Sequence, residues 1–160
     1  MKTAFAVVLL SALALANAQS ICKKSFTVTE NYVEGTSELV GCTDAECTYV
    51  FDNPLVVGSS ASGKTKAGAN VGTCTVFSAS AAGENRSYCM MSLNTTSGVI
   101  NFGGEFPDFK NGDFTMAVTG GTGGFLGASG AVRCQVVKPG YTWTYTVSLL
   151  KAPKCGSRRA

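Results

Sequence analysis

Alternation with a period of two is the feature that most restricts how this chain can fold. From Tyr141 to Leu149, Tyr141, Trp143, Tyr145, Val147 and Leu149 alternate strictly with the hydroxyls of Thr142, Thr144, Thr146 and Ser148. Successive side chains of a strand point to opposite faces, whereas a helix needs apolar residues every three to four positions, so this stretch reads as a half-buried strand. Weaker alternations run through Phe26-Val28, Tyr49-Phe51, Val71-Phe77, Tyr88-Leu93, Val99-Phe102, Phe114-Val118 and Ala131-Val137, each bounded by Gly, Asn, Pro or Ser. The result is about eight short strands and no window for a long amphipathic helix. Eight antiparallel strands suit a small closed barrel whose interior is filled by side chains or holds one small ligand. A two-sheet sandwich satisfies the same periodicity.

The start of the chain has another purpose. Lys2, an apolar run from Ala4 to Ala16 and the small-x-small triplet Ala16-Asn17-Ala18 have the form of a secretory signal peptide, residues 1–18. Cleavage after Ala18 takes 18 from 160 residues and leaves 142, a single domain over 19–160, while net charge falls from +3 to +2 with the loss of Lys2. The apolar run is too short for a membrane span, and no later stretch is long enough either. The expectation is a secreted, extracellular protein.

Histidine is absent, which excludes Ser-His-Asp and Cys-His nucleophile pairs and every metal site that needs an imidazole. No metal or other cofactor is expected. Charged residues make up only 14% and form no blocks, which argues against a nucleic-acid surface. The basic residues Lys151, Lys154, Arg158 and Arg159 gather at the C-terminus and read as a solvated tail. Asn85-Arg86-Ser87 and Asn94-Thr95-Thr96 are sequons, open to N-glycosylation at Asn85 and Asn94 in a host that performs it.

All seven cysteines follow the leader, which in an exported protein reads as a disulfide framework with one thiol left over. Connectivity does not follow from sequence alone, but three spacings suggest pairs. Cys22 and Cys155 sit near the two ends, where a bridge would tie down the termini. Cys42 and Cys47 enclose a short loop. Cys74 and Cys89 flank the Ala81-Ala82-Gly83 turn symmetrically and could face each other across a hairpin. Cys134 is then the odd residue, packing as a small hydrophobe.

Two glycine-rich strings imitate nucleotide-binding motifs. Gly58-Ser59-Ser60-Ala61-Ser62-Gly63-Lys64-Thr65 matches the phosphate-loop pattern letter for letter, but Lys66-Ala67-Gly68-Ala69-Asn70 cannot supply the following helix whose N-terminal amides cradle phosphate. Gly120-Gly121-Thr122-Gly123-Gly124-Phe125-Leu126-Gly127 lacks the third glycine of the dinucleotide fingerprint. Both read as tight loops between strands, the second with Phe125 turned back into the core.

That second loop also carries a family resemblance. Thr119-Gly120-Gly121-Thr122-Gly123-Gly124-Phe125-Leu126-Gly127-Ala128-Ser129-Gly130 resembles the GG-[ST]-G-x-F-x-G-A-x-G stretch shared by allene oxide cyclases and dirigent proteins. Phe51-Asp52-Asn53-Pro54-Leu55 is similar to the dirigent D-D-P-L element, and Val71-Gly72-Thr73-Cys74 to the cyclase A-G-L-C; the likeness covers about residues 49 to 150. It implies an eight-stranded antiparallel β-barrel, often trimeric, with an apolar cavity that confines a reactive intermediate so that coupling or cyclisation takes one handedness. The chain departs from the pattern at Leu126 and Ser129, where dirigent proteins commonly carry arginine, and at Phe106, where the cyclases carry tyrosine. The acidic and asparagine residues near the cyclase N-terminus are echoed only by Glu30-Asn31.

Two functions follow. In the first, the barrel binds a small hydrophobic molecule and directs its stereochemistry, with Asp52 as polar anchor or general acid at the mouth and Phe102, Phe106, Trp143 and Tyr145 as ligand-binding wall. In the second, it is a non-catalytic extracellular binding or wall-associated structural barrel. Asp52 would then be only a turn former, and the aromatics core or trimer packing. A cavity with Asp52 or another carboxylate pointing into it separates the two.

Overall fold

The computed structural model describes residues 21–43, 46–77, 86–106 and 112–155. Residues 1–18, expected to be a leader, and Asn85 lie outside the described residues. Among the described residues there are nine strands: β1 (Ser25–Asn31), β2 (Ser37–Cys42), β3 (Glu46–Val57), β4 (Lys66–Phe77), β5 (Arg86–Thr95), β6 (Gly98–Glu105), β7 (Gly112–Gly121), β8 (Gly130–Lys138) and β9 (Thr142–Leu149). Their order is β1-β9-β8-β7-β6-β5-β4-β3-β2, and β1 also pairs with β3. This last pairing closes eight strands into a barrel, so the sandwich is excluded, and β2 hangs outside the ring on β3.

The closure depends on the length of β3. Its last residues pair with β1, at Val28 with Val57, Thr29 with Val56 and Glu30 with Leu55. Its first half pairs with β2, from Ser37 with Phe51 to Cys42 with Cys47. Each of the eight alternating stretches lies in one of the other strands, except that Tyr141 belongs to the turn before β9. β2 escaped the pattern because its six residues are all exposed, so no buried face imposes a period of two.

Inward positions follow the alternation. On β9, Trp143, Tyr145, Val147 and Leu149 are buried, and each fully buried aliphatic side chain contributes about 1.5–3 kcal/mol. The hydroxyl face is not uniformly wet: Thr144 is buried as well, its Oγ1 lying 3.2 Å from Thr29 Oγ1 on β1.

One end of the barrel, where β1 begins and β9 finishes, is sealed. The glycine-rich loop forms a single 3-10 turn, Gly123–Phe125, that drives Phe125 into the core against Phe26, ring centroids 6.2 Å apart. Gly124 must be glycine because a Cβ there would collide with Cys155 Sγ and the Ser97 carbonyl. Gly58–Thr65 is the hairpin loop from β3 to β4, with no helix after it. Disulfides join Cys22 to Cys155, Cys42 to Cys47 and Cys74 to Cys89. The first joins the segment before β1 to the segment after β9 at the sealed end, and the second clips β2 to β3. The third joins directly opposed residues of β4 and β5. Cys134 is buried on β8, outside these pairs.

Candidate functional site

The other end of the barrel, where β1 finishes and β9 begins, holds the site. Phe26, Val28 and Glu30 share a face of β1, so the same alternation that buries Val28 carries Glu30 into the barrel, where it is 2% exposed. A buried carboxylate is unfavourable by several kcal/mol unless donors replace its water. Three do so. Asn53 Nδ2 donates to Oε1 at 2.6 Å, Asn70 Nδ2 to Oε2 at 2.7 Å, and the Tyr145 hydroxyl to Oε2 at 2.6 Å. Both oxygens act as acceptors, the pattern of an ionised carboxylate.

Sheet register assembles these donors. Asn53 and Asn70 stand directly opposite each other on β3 and β4. Glu30 faces Leu55 on one side of its strand and Trp143 on the other, with Tyr145 two residues along β9. The Thr36 hydroxyl, just before β2, donates to Asn53 Oδ1 and so turns the Asn53 amide nitrogen toward Glu30. Asn70 is fully buried, yet its Oδ1 has no hydrogen-bond partner. An orphaned amide oxygen is unfavourable by about 1–3 kcal/mol, but flipping the amide would set that oxygen against the carboxylate. The carboxylate therefore decides the orientation of Asn70.

Above Glu30 opens a cavity of about 280 Å³. Its wall is mainly aromatic, from Tyr32, Tyr49, Phe51, Phe106, Trp143 and Tyr145, with Met91, Val76 and the Cys74 sulfur among the remaining apolar contributors. Glu30 and Asn53 supply polar groups in the interior, and Ser37 and Gly140 bring β2 and the β8–β9 turn into the wall. Phe106 stacks edge-on to Phe114 at 5.0 Å and tilts against Trp143 at 6.4 Å, which fixes this side of the wall. At the rim, exposed Arg86 makes a two-pronged ion pair with Glu105, at 2.9 and 2.8 Å. The guanidinium holds the Glu105 carboxyl below its ordinary range, by hydrogen bonding first and charge second.

The residues singled out from sequence do not all meet here. Phe106, Trp143 and Tyr145 line the cavity. Phe102 lies behind the wall, buried and edge-on to Tyr145 at 5.7 Å. Asp52 is exposed on the outside of β3, because Phe51, Asn53 and Leu55 hold the inward positions. Its neighbour Asn53 enters the site instead. Asn94 is half-buried on β5. Glu30 and Asn70 were missed as site residues, although extending the Phe26-Val28 alternation by one step points Glu30 inward. Among the described residues, no group of three His, Cys, Asp or Glu could hold a metal ion.

Among the described residues, the arrangement places a carboxylate, immobilised and largely removed from water, beside an apolar chamber. In such surroundings a charge acts far more strongly on a bound molecule than it would in solvent.

No protein-family model matches the chain, and no curated protein matches it. Solved structures do. The pterocarpan synthase dirigent protein PsPTS1 superposes with a TM-score of 0.62 at 18% identity, over 84% of this chain and 99% of its own. AbnU, an exo-specific intermolecular Diels-Alderase, gives 0.61 at 16% identity over 78% and 96%. A pyocyanin demethylase gives 0.55 at 20% identity over 76% and 97%. At such identities the likeness is one of fold, and by that fold the chain is an eight-stranded antiparallel barrel of the dirigent-like type, carrying one extra strand.

Proposed function

We propose that this protein is a secreted barrel that binds a small hydrophobic molecule and directs the stereochemistry of its coupling or cyclisation. The observation that carries the proposal is Glu30, buried and fixed by three donors at the wall of an aromatic cavity. A purely structural barrel gains nothing from a buried carboxylate that needs two asparagines and a tyrosine to hold it, since a packed leucine would stabilise the core more. Confinement in a rigid chamber selects one approach of the reacting atoms, and the fixed charge favours one distribution of charge in the transition state. Fold neighbours named as an exo-specific Diels-Alderase and as pterocarpan synthase dirigent proteins support this direction. The three disulfides support export to an oxidising compartment.

The test uses the full chain, leader included, in a secreting host. The protein is collected from the medium, and whatever apolar compound copurifies is identified by mass spectrometry. A reaction of that compound class is then run with and without protein, and product enantiomers are separated. One enantiomer in excess with wild type, and a racemate with Glu30→Gln, is the expected result. Absence from the medium would refute export, and a racemate with wild type would refute steering.

A further inference from the structure

We propose that the sealed end of the barrel is a docking surface for an anionic lipid bilayer. This goes beyond the cavity and is independent of it. Two separate features converge at that end, one of charge and one of exposed apolar surface.

The charge is assembled by the fold. Lys23 and Lys24 precede β1, Lys151 and Lys154 follow β9, and all four are exposed. The Cys22–Cys155 disulfide brings the two segments to a Cα separation of 6.0 Å, and Leu149 N donates to Lys24 O at 2.8 Å. Two lysine pairs from opposite ends of the sequence thus become one cluster, and among the described residues none of the four makes an ion pair. The segments that close this end, 21–24, 122–129 and 150–155, contain no Asp or Glu. Nor do residues 1–20 and 156–160, which lie outside the described residues and include Arg158 and Arg159. Asp44, Glu84 and Asp108 belong to the connections β2–β3, β4–β5 and β6–β7, which join strands at the opposite end. A cluster of about four or more lysines at a surface attracts anionic headgroups.

The apolar feature lies on the same end. Leu126 is 83% exposed and Leu150 71%, the two most exposed large hydrophobic side chains among the described residues. The segment after β9 runs along the glycine-rich loop, with Leu150 N donating to Ser129 O at 2.9 Å and Lys154 N to Gly124 O at 2.8 Å. Leu126 sits in the loop between those two anchors. A soluble acidic polymer would use the lysines and gain nothing from the leucines. A bilayer uses both, its headgroups taking the ammonium groups while the leucines enter the acyl boundary. Docked in this way, the barrel presents its cavity mouth to the solution.

Vesicle flotation tests the proposal. Protein collected from the medium of a secreting host is mixed with phosphatidylcholine vesicles containing about 30% phosphatidylserine, or with phosphatidylcholine alone, in about 0.1 M salt. An apolar leader would favour both compositions alike, so the ratio between them isolates the lysines. Wild type should partition about tenfold or more better onto the anionic vesicles, and the gain should vanish in about 1 M salt. Lys23→Gln with Lys24→Gln should lower that partition about tenfold or more, and Leu126→Ser with Leu150→Ser about fivefold or more. The leucine variant should still be retained like wild type on immobilised polygalacturonate. All four positions are exposed, and circular dichroism checks that each variant keeps its strands. Equal partition onto the two vesicle compositions overturns the anionic bilayer. A leucine variant that floats like wild type also overturns it, and retention on polygalacturonate would then assign this end to an acidic polymer. Binding to neither vesicles nor polymer overturns the docking surface itself.

Discussion

Replacing Tyr145 by phenylalanine removes one hydroxyl from the barrel and leaves the ring against Phe102. That hydroxyl donates to Glu30 Oε2 at 2.6 Å, an oxygen that also accepts from Asn70 Nδ2. A hydrogen bond to a charged group contributes about 1.5–3 kcal/mol, more than a neutral pair, because the acceptor left behind is buried without its water. The vacated space is a single oxygen beside Met91, so cavity formation adds little. The expected loss is therefore about 2 kcal/mol, equivalent to a Tm lower by roughly 7 °C for a domain of this size. Urea denaturation followed by Trp143 fluorescence measures it, Trp143 being the only tryptophan. The cause is isolated by a double-mutant cycle: with Glu30→Gln already present, Tyr145→Phe should have an effect smaller by about 1 kcal/mol or more. Loss below about 0.5 kcal/mol, or strict additivity with Glu30→Gln, would refute the claim that Tyr145 holds an ionised Glu30.

Further tests concern the frame. The Cys22–Cys155 bridge spans a sequence separation of 133, and loop-closure entropy assigns it about 5 kcal/mol; the Cys42–Cys47 bridge, with a separation of 5, is assigned about 2 kcal/mol. Paired Cys→Ser variants should follow that order in non-reducing denaturation, and the reverse order would contradict it. At the rim, Arg86 lowers the pKa of Glu105, so their pairing stabilises the fold above the ordinary carboxylate range and ceases to do so as pH falls through the lowered value. Both groups are exposed, so the wild-type advantage over Glu105→Gln should be small, should shrink in acid, and should also shrink in 1 M salt. An advantage that grows in acid would be inconsistent with the pair.

Much of the fold was legible in the residues because a half-buried strand writes its period directly into the chain. Tyr141–Leu149 anticipated β9, and the midpoint of Cys74 and Cys89 anticipated a cross-strand pair. Asp52 shows where such reading stops. A charged residue beside a turn-like Asn-Pro attracted attention, yet parity with Phe51 and Leu55 sends Asn53 inward and Asp52 to solvent. Glu30 shows the converse, an acid in a recognisably apolar register. Its three donors come from β3, β4 and β9, and only the closed ring brings positions 30, 53, 70 and 145 together. Nothing local in the sequence encodes that convergence. β2 was invisible for a different reason, having no buried side to set a rhythm.

That outer strand has a consequence for how such a protein can diversify. β2 contributes Ser37 to the wall and, through the preceding Thr36, steadies Asn53, while its own residues are all exposed. Substitutions, insertions or a different length in this hairpin would reshape the entrance without asking the barrel to repack. Glu30 lies deep in the ring, whereas part of the cavity mouth is formed by a strand clipped to its neighbour at Cys42 and Cys47. The shape of the mouth can therefore vary in this hairpin while the packed interior of the barrel stays the same.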